Sequence, residues 1–245
     1  MKFLMAAFLC MGPYVAFSQT IQLHYDVRHT IDPKNARKNF PVIYFEYFKN
    51  QDSGKSFIKP GSFLLKTEAD LMGDNDNIAK FYTQVSQSFR FWKPKVFLNL
   101  QYSGGLGITE PRQYSYYITN NWAAGLSYPF KWGKSFLSAL VNFKIVTYAR
   151  SSRDALIMLY WWKGIWNYTV EFSGDFSAWT ENKNHGDSQT KGLSGKRLFF
   201  YAEPQFWLNL NGFLALGTKI QMNYHSFTTE NVLQLDPSIG LKCRL

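Results

Sequence analysis

Leu233-Gln234-Leu235-Asp236-Pro237-Ser238-Ile239-Gly240-Leu241-Lys242-Cys243-Arg244-Leu245 alternates without a slip. Leu233, Leu235, Pro237, Ile239, Leu241, Cys243 and Leu245 fall on one face; Gln234, Asp236, Ser238, Gly240, Lys242 and Arg244 fall on the other. Successive side chains of a strand point to opposite sides, so this is a strand with one apolar and one polar face. Its length carries the second message. An ordinary strand has about five or six residues, whereas a strand tilted across a bilayer needs about 9–11.

The same alternation recurs along the chain. Ile21, Leu23, Tyr25 and Val27 oppose Gln22, His24, Asp26 and Arg28; Tyr168, Val170, Phe172, Gly174, Phe176 and Ala178 oppose Thr169, Glu171, Ser173, Asp175, Ser177 and Trp179. Leu214, Leu216, Ile220, Met222 and Tyr224 oppose Lys219, Gln221 and Asn223. About twelve such segments are predicted by this rule, near 21–29, 41–49, 61–72, 78–91, 96–104, 116–128, 135–148, 155–162, 167–179, 198–209, 213–224 and 233–245. Long polar connections (30–40, 73–77, 105–115, 149–154, 180–197, 225–232) alternate with tight ones such as Trp92-Lys93-Pro94-Lys95, Pro129 to Lys134 and Leu210-Asn211-Gly212. The stretch 50–60 is long for the short side. Loops long on one side and short on the other are the pattern of an antiparallel transmembrane β-barrel.

Composition agrees. The 245 residues are 46% hydrophobic and 18% aromatic but only 18% charged, which excludes a disordered chain. Mean hydropathy is −0.26, and the longest uninterrupted apolar run, Ala155 to Trp162, is far too short for a membrane helix. A closed barrel is the other way to cross a bilayer, because closure pairs every backbone group. Two cysteines exclude a disulfide scaffold.

Residues 1–18 read as a secretory signal: Lys2, an apolar stretch from Phe3 to Gly12, then Ala16-Phe17-Ser18 before the cut. Cys10 is preceded by the large Leu9, which disfavours a lipid anchor. Residues 19–245 then form one barrel domain carrying one cysteine, Cys243, whose position faces lipid. The address places it in the outer membrane of a Gram-negative bacterium. Aromatics cluster at strand ends: Tyr44 and Phe48, Phe89 to Trp92, Tyr114 to Tyr117, Tyr128 to Trp132, and Tyr160 to Trp166. That is where rings with a polar edge settle at a membrane interface.

Short motifs in a fixed order add a family resemblance. They are Leu23-His24-Tyr25-Asp26, Glu46-Tyr47-Phe48-Lys49, Gly61 to Asp70 with Glu68-x-Asp70, Asn121-Trp122 with Gly125 and Tyr128, and Glu203-Pro204-Gln205-Phe206-Trp207. Together they resemble a Bacteroidetes family of outer-membrane proteins related to the Tsx-like nucleoside-specific channels. The resemblance implies twelve strands, a narrow lumen and, more weakly, nucleoside passage. The chain departs from such barrels in ending on Leu245 rather than on an aromatic residue.

If apolar faces meet lipid, polar faces meet the lumen. A lipid-facing Arg or Lys at the midplane costs about 2–4 kcal/mol. The inward candidates for solute contact are Asp26, Arg28, Glu46, Lys66, Glu68, Asp70 and Arg90 from the first third of the chain. Glu171, Asp175, Glu203, Trp207, Lys219 and Arg244 come from the last third; His24, Lys144 and Lys242 share the face. Twelve strands leave a narrow path. Lined by both signs of charge and by Tyr82, Phe97, Tyr201 and Trp207, it suits small polar solutes, nucleosides being the class the resemblance names. Two alternatives stay open: opposed charges can plug the lumen, or His185 and His225 in outer loops can serve a barrel hydrolase. Glu68 and Asp70 read as lumen polarity with Lys66 as counter-ion.

No His-Glu-x-x-His or Ser-His-Asn pattern and no phosphate loop is visible, so neither a metal, a cofactor nor an enzyme is expected. Gly104-Gly105-Leu106-Gly107 reads as a strand end or turn. The net charge of +10 suits contact with lipid and anionic lipopolysaccharide; nucleic acid is disfavoured by the export address, and a monomer is favoured.

Overall fold

The computed structural model describes residues 19–34, 36–50, 57–109, 114–226 and 231–245. The expected signal at 1–18 lies outside them, as does most of the 50–60 connection. The strands are β1 (Gln19–Asp26), β2 (Phe40–Asn50), β3 (Lys59–Asp70), β4 (Lys80–Arg90), β5 (Phe97–Ile108), β6 (Ser115–Trp132) and β7 (Ser135–Val146). They continue as β8 (Ser152–Ile165), β9 (Val170–Asn182), β10 (Lys196–Ala202), β11 (Gln205–Asn209), β12 (Leu214–Tyr224) and β13 (Leu233–Arg244). A single helical turn, α1 (Arg28–Ile31), follows β1. No helix among the described residues is long and apolar enough to cross a membrane.

Each strand pairs antiparallel with the next along the chain, β10 with β11 excepted, and β13 returns to β1, from Thr20 opposite Arg244 to Asp26 opposite Ser238. The sheet is therefore a closed barrel. β10 and β11 both lie between β9 and β12 and are two halves of one barrel strand, so the thirteen segments make twelve barrel strands. Proline has no N–H for the ladder, and the interruption falls at Glu203-Pro204. The neighbours bridge the gap: Glu203 N donates to Asp175 O at 2.9 Å, and Ile220 N donates to Pro204 O at 3.1 Å.

The barrel is inside out relative to a water-soluble protein. On β1, Gln22, His24 and Asp26 are buried while Leu23 and Tyr25 are exposed. On β13, Ser238 and Lys242 are buried while Leu235, Ile239 and Leu241 are exposed. Gly217 and Gly240 sit opposite each other on β12 and β13 where the inner wall needs room. A Cβ at Gly240 would lie 2.7 Å from the His24 ring, and one at Gly217 would lie 2.5 Å from the Trp207 ring.

Several local expectations are corrected. Tyr44 and Tyr160, assigned to the aromatic girdle, point inward; Tyr44 bonds Glu46 and Tyr160 accepts from Gln84. Both follow the parity of their strands, which outweighs proximity to an end. Leu140, Leu156 and Met158 also point inward and, with Ala123, form an apolar patch on the inner wall of β6 to β8. The unbroken run Ala155 to Trp162 hides that face, because its two sides do not differ in polarity. Gly104 to Gly107 stays within β5, with a register shift between Gly105 and Leu106. β6 runs through Pro129 to Trp132 instead of turning there.

The aromatic belt is strongest at the short-turn end. Phe91, Trp92, Trp132, Trp166, Tyr168 and Phe213 are exposed there. Phe91 contacts Trp92 on the belt, while Phe136 contacts Trp162 and Trp162 contacts Tyr168 around the short-turn mouth of the lumen.

Candidate functional site

The site is the lumen, and strand parity supplies its walls. A cavity of about 790 Å³ opens at the long-loop end and descends to Tyr44, Lys66 and Glu203. A second depression of about 500 Å³ opens at the short-turn end, between Trp162, Glu171, Asn209 and Arg244. Side chains of the strands separate the two, and the connection after β9 contributes Lys183, His185, Asp187 and Leu193 to the wall of the large cavity.

The partition is built from charge. Lys66 on β3 forms an ion pair and hydrogen bond with Asp175 on β9. These strands stand six positions apart around a ring of twelve, so the pair spans the full lumen. Lys219 on β12 lies 2.6 Å from Glu68 on β3 and 3.2 Å from Glu203, whose carboxylate also accepts from Tyr201. Gln221 donates to Glu68 at 3.0 Å, and Gln84 on β4 donates to Tyr160 on β8 at 2.8 Å. Glu68 is thus paired with Lys219 rather than with its own-strand neighbour Lys66, which reaches across to Asp175. Ion pairing holds such charges only because each has a close opposite partner; an unpaired charge at this depth would be costly.

Below this layer Lys242 bonds Glu171 at 2.5 Å, and Arg244 reaches Glu171 at 3.0 Å and Asn209 at 2.5 Å. Trp207 is 0% exposed, stacked edge-on to His24 and lying 4.7 Å beneath the Lys242 ammonium. Above it Lys144 pairs with Glu181 at 2.7 Å, and Trp179 donates to Glu181 at 2.8 Å. At the long-loop rim Arg28 bridges Asp26 at 2.7 Å and Asp236 at 3.3 Å.

The thirteen sequence-derived candidates therefore divide by height. Lys66, Glu68, Asp175, Glu203 and Lys219 meet in the central brace, and Tyr44 ties Glu46 to its edge. Asp26 and Arg28 sit at one mouth, where Asp70 lines the large cavity; Glu171 and Arg244 sit at the other. Trp207 is packed in the partition rather than lining the large cavity. Arg90 reaches the β4–β5 turn, donating to Lys93 O at 2.6 Å and Pro94 O at 3.2 Å.

Sequence reading overlooked Glu181, Asp154 and Tyr148. Glu181 continues the inward parity of Glu171 and Asp175 two residues past the expected end of β9. Asp154 accepts from Lys196 at 2.6 Å and Thr180 at 2.8 Å, in a stretch read as loop. Tyr148 stacks on His185 with ring centroids 4.6 Å apart at the cavity rim. Burial, and then the Glu181 carboxylate, push its phenol above the ordinary range. Asp187 is held below the usual carboxylate range by Thr190, which donates through both its backbone N–H and its hydroxyl.

His185 and His225 both line the large cavity but have separate partners. His225 bonds Leu198 O at 2.7 Å and Asn231 at 2.8 Å. No group of three His, Cys, Asp or Glu side chains among the described residues is placed to hold a metal ion.

Comparison with solved structures places the fold. A NanC porin aligns with a TM-score of 0.52 at 7% identity, over 93% of this chain and 99% of that one. LpxR from Salmonella typhimurium aligns with a TM-score of 0.41 at 8% identity, over 93% of this chain and 99% of that one. Omp33 of Acinetobacter baumannii aligns with a TM-score of 0.37 at 8% identity, over 94% of this chain and 98% of that one. The fold is that of a twelve-stranded outer-membrane barrel. None of the curated proteins matches the chain. The profile described as "Domain of unknown function (DUF5020)" matches residues 18–245.

Proposed function

This chain belongs to the DUF5020 family, and from its barrel geometry we propose that it is an outer-membrane channel for small polar solutes. Solutes enter from the long-loop end and meet a constriction of ion pairs at mid-height. The apolar outer face sits in lipid, with lipopolysaccharide around the long loops. The single observation that carries this reading is the arrangement of the two cavities. They open at opposite ends of a closed barrel, and among the described residues it is side chains that lie between them. The brace is made of side chains, so it can part by rotamer change without backbone rearrangement. Opposed charges and carbonyl-like acceptors in a narrow pore select by hydration and hydrogen bonding.

Nucleosides are the first solutes to test. Tyr44, Tyr82, Tyr201 and Phe199 offer ring faces in the large cavity, while Gln101, Gln221 and Asn121 offer amide bonds to hydroxyls and base edges. The full chain in planar lipid bilayers is expected to show small, flickering currents that nucleosides reduce when added on the long-loop side. Silence of both the natural chain and a variant lacking the brace would reject the channel. A second reading rests on the Lys66–Asp175 pair itself, which spans the lumen: a sealed structural barrel. Silence of the natural chain together with steady current through Lys66→Ala/Asp175→Ala would favour that reading.

A further inference from the structure

The two ends of the barrel differ in charge. At the short-turn end, Lys49 on β2, Lys93 and Lys95 after β4, Lys131 and Lys134 around the β6–β7 turn, and Lys163 on β8 are all exposed. Among the described residues no exposed Asp or Glu accompanies them; Glu171, the carboxylate of that mouth, is inside the barrel with Lys242 and Arg244. At the long-loop end Asp32, Asp74, Asp76 and Asp187 are interspersed with the basic groups.

The six lysines follow four successive short connections, from β2–β3 to β8–β9, and so form a crescent along two thirds of the barrel's rim. They interleave with the exposed aromatic belt. Lys93 adjoins Trp92 and Lys134 follows Trp132 by two residues, while Lys131 shares the inner face of the rim with Phe136, its ammonium 4.8 Å over that ring. Aromatic rings fix the depth of the rim at the lipid–water boundary, and lysine stems extend from there to the headgroup layer.

We propose that this crescent is a docking surface for anionic phospholipid headgroups in the leaflet at the short-turn end. The inference rests on the membrane placement above but not on conduction. Charge complementarity names the partner: exposed ammonium groups, with no exposed Asp or Glu beside them among the described residues, face a layer of phosphates. Position favours lipid over a soluble polyanion, because Lys49 and Lys163 stand on the outward faces of β2 and β8, and Lys93, Lys95 and Lys134 on short connections beside the exposed Trp92 and Trp132.

The test uses the full chain in phosphatidylcholine vesicles doped equally with brominated phosphatidylcholine or brominated phosphatidylglycerol, read by quenching of tryptophan fluorescence. The expected result is enrichment of phosphatidylglycerol at the rim by about threefold or more. About 0.5 M salt is expected to erase most of it by screening. The variant Lys93→Gln/Lys95→Gln/Lys131→Gln/Lys134→Gln is expected to bring the two lipids to near equality. If that variant does not insert, the two double variants are each expected to lose part of the preference. Equal quenching by both lipids in the natural chain at low salt overturns the proposal, as does an unchanged preference in the variants. Binding of a soluble polyanion without phosphatidylglycerol preference also overturns it. A chain that inserts, prefers phosphatidylglycerol and passes no current refutes the channel alone.

Discussion

Asp175→Ala is expected to destabilise the barrel by about 3–5 kcal/mol, the cost of leaving one member of a buried ion pair without its mate. Lys66 is buried on β3, and Asp175 is the carboxylate that reaches it from the opposite wall. Glu46 and Glu203 attract the ammonium through space and the Tyr160 ring lies 5.5 Å from it, but Asp175 is the carboxylate to which it donates. The double variant Lys66→Ala/Asp175→Ala is expected to recover more than half of that loss, because no charge is then stranded. It is also expected to raise the single-channel conductance, since both side chains that span the lumen are gone. Urea unfolding in lipid vesicles, followed by the gel mobility of the folded barrel, measures the first effect, and bilayer recording the second. Equal stability of Asp175→Ala and the natural chain would mean that the pair does not brace the lumen.

The second large effect belongs to the outer face. Val141 is 61% exposed at the middle of β7. Val141→Arg places a guanidinium at the centre of the hydrocarbon and is expected to cost about 2–4 kcal/mol. The matched change Lys163→Arg lies at the rim, where the expected cost is about 0–1 kcal/mol. The difference is expected to collapse in a detergent micelle, which deforms around the charge. Unfolding midpoints of both variants in vesicles and in micelles check this. Equal behaviour of the two in vesicles would place Val141 in water.

Strand identity, number and facing were legible because one rule acts everywhere. A strand with water on one side and lipid on the other must alternate, and β13 does so throughout while β1, β9 and β12 do so over most of their length. Legibility failed where the two faces are chemically alike. Ala155 to Trp162 is apolar throughout, so nothing in it announces that Leu156, Met158 and Tyr160 turn inward. It failed again for strand ends: β5 continues through Gly105 to Ile108, β6 through Pro129 to Trp132, and β8 begins in the polar Ser152-Arg153-Asp154. Loops that stand above a bilayer can continue the ladder, and polarity alone does not mark where pairing stops.

The candidate site was readable as a set but not as partners. Lys66, Glu68, Asp175, Glu203 and Lys219 were identifiable as inward, since parity needs only local sequence. Which carboxylate meets which lysine depends on the curvature of a closed ring. Residues separated by 109 positions, Lys66 and Asp175, meet because their strands are diametrically opposed. Lys66 and Glu68, two apart, point the same way yet take different partners.

The inside-out barrel is tested most directly by removing detergent and following the full chain by sedimentation and vesicle flotation. With lipid present it should float with the vesicles and keep its folded gel mobility; without lipid it should aggregate through its apolar girdle. A stable, monodisperse monomer in plain buffer would contradict the assignment of the outer face to lipid.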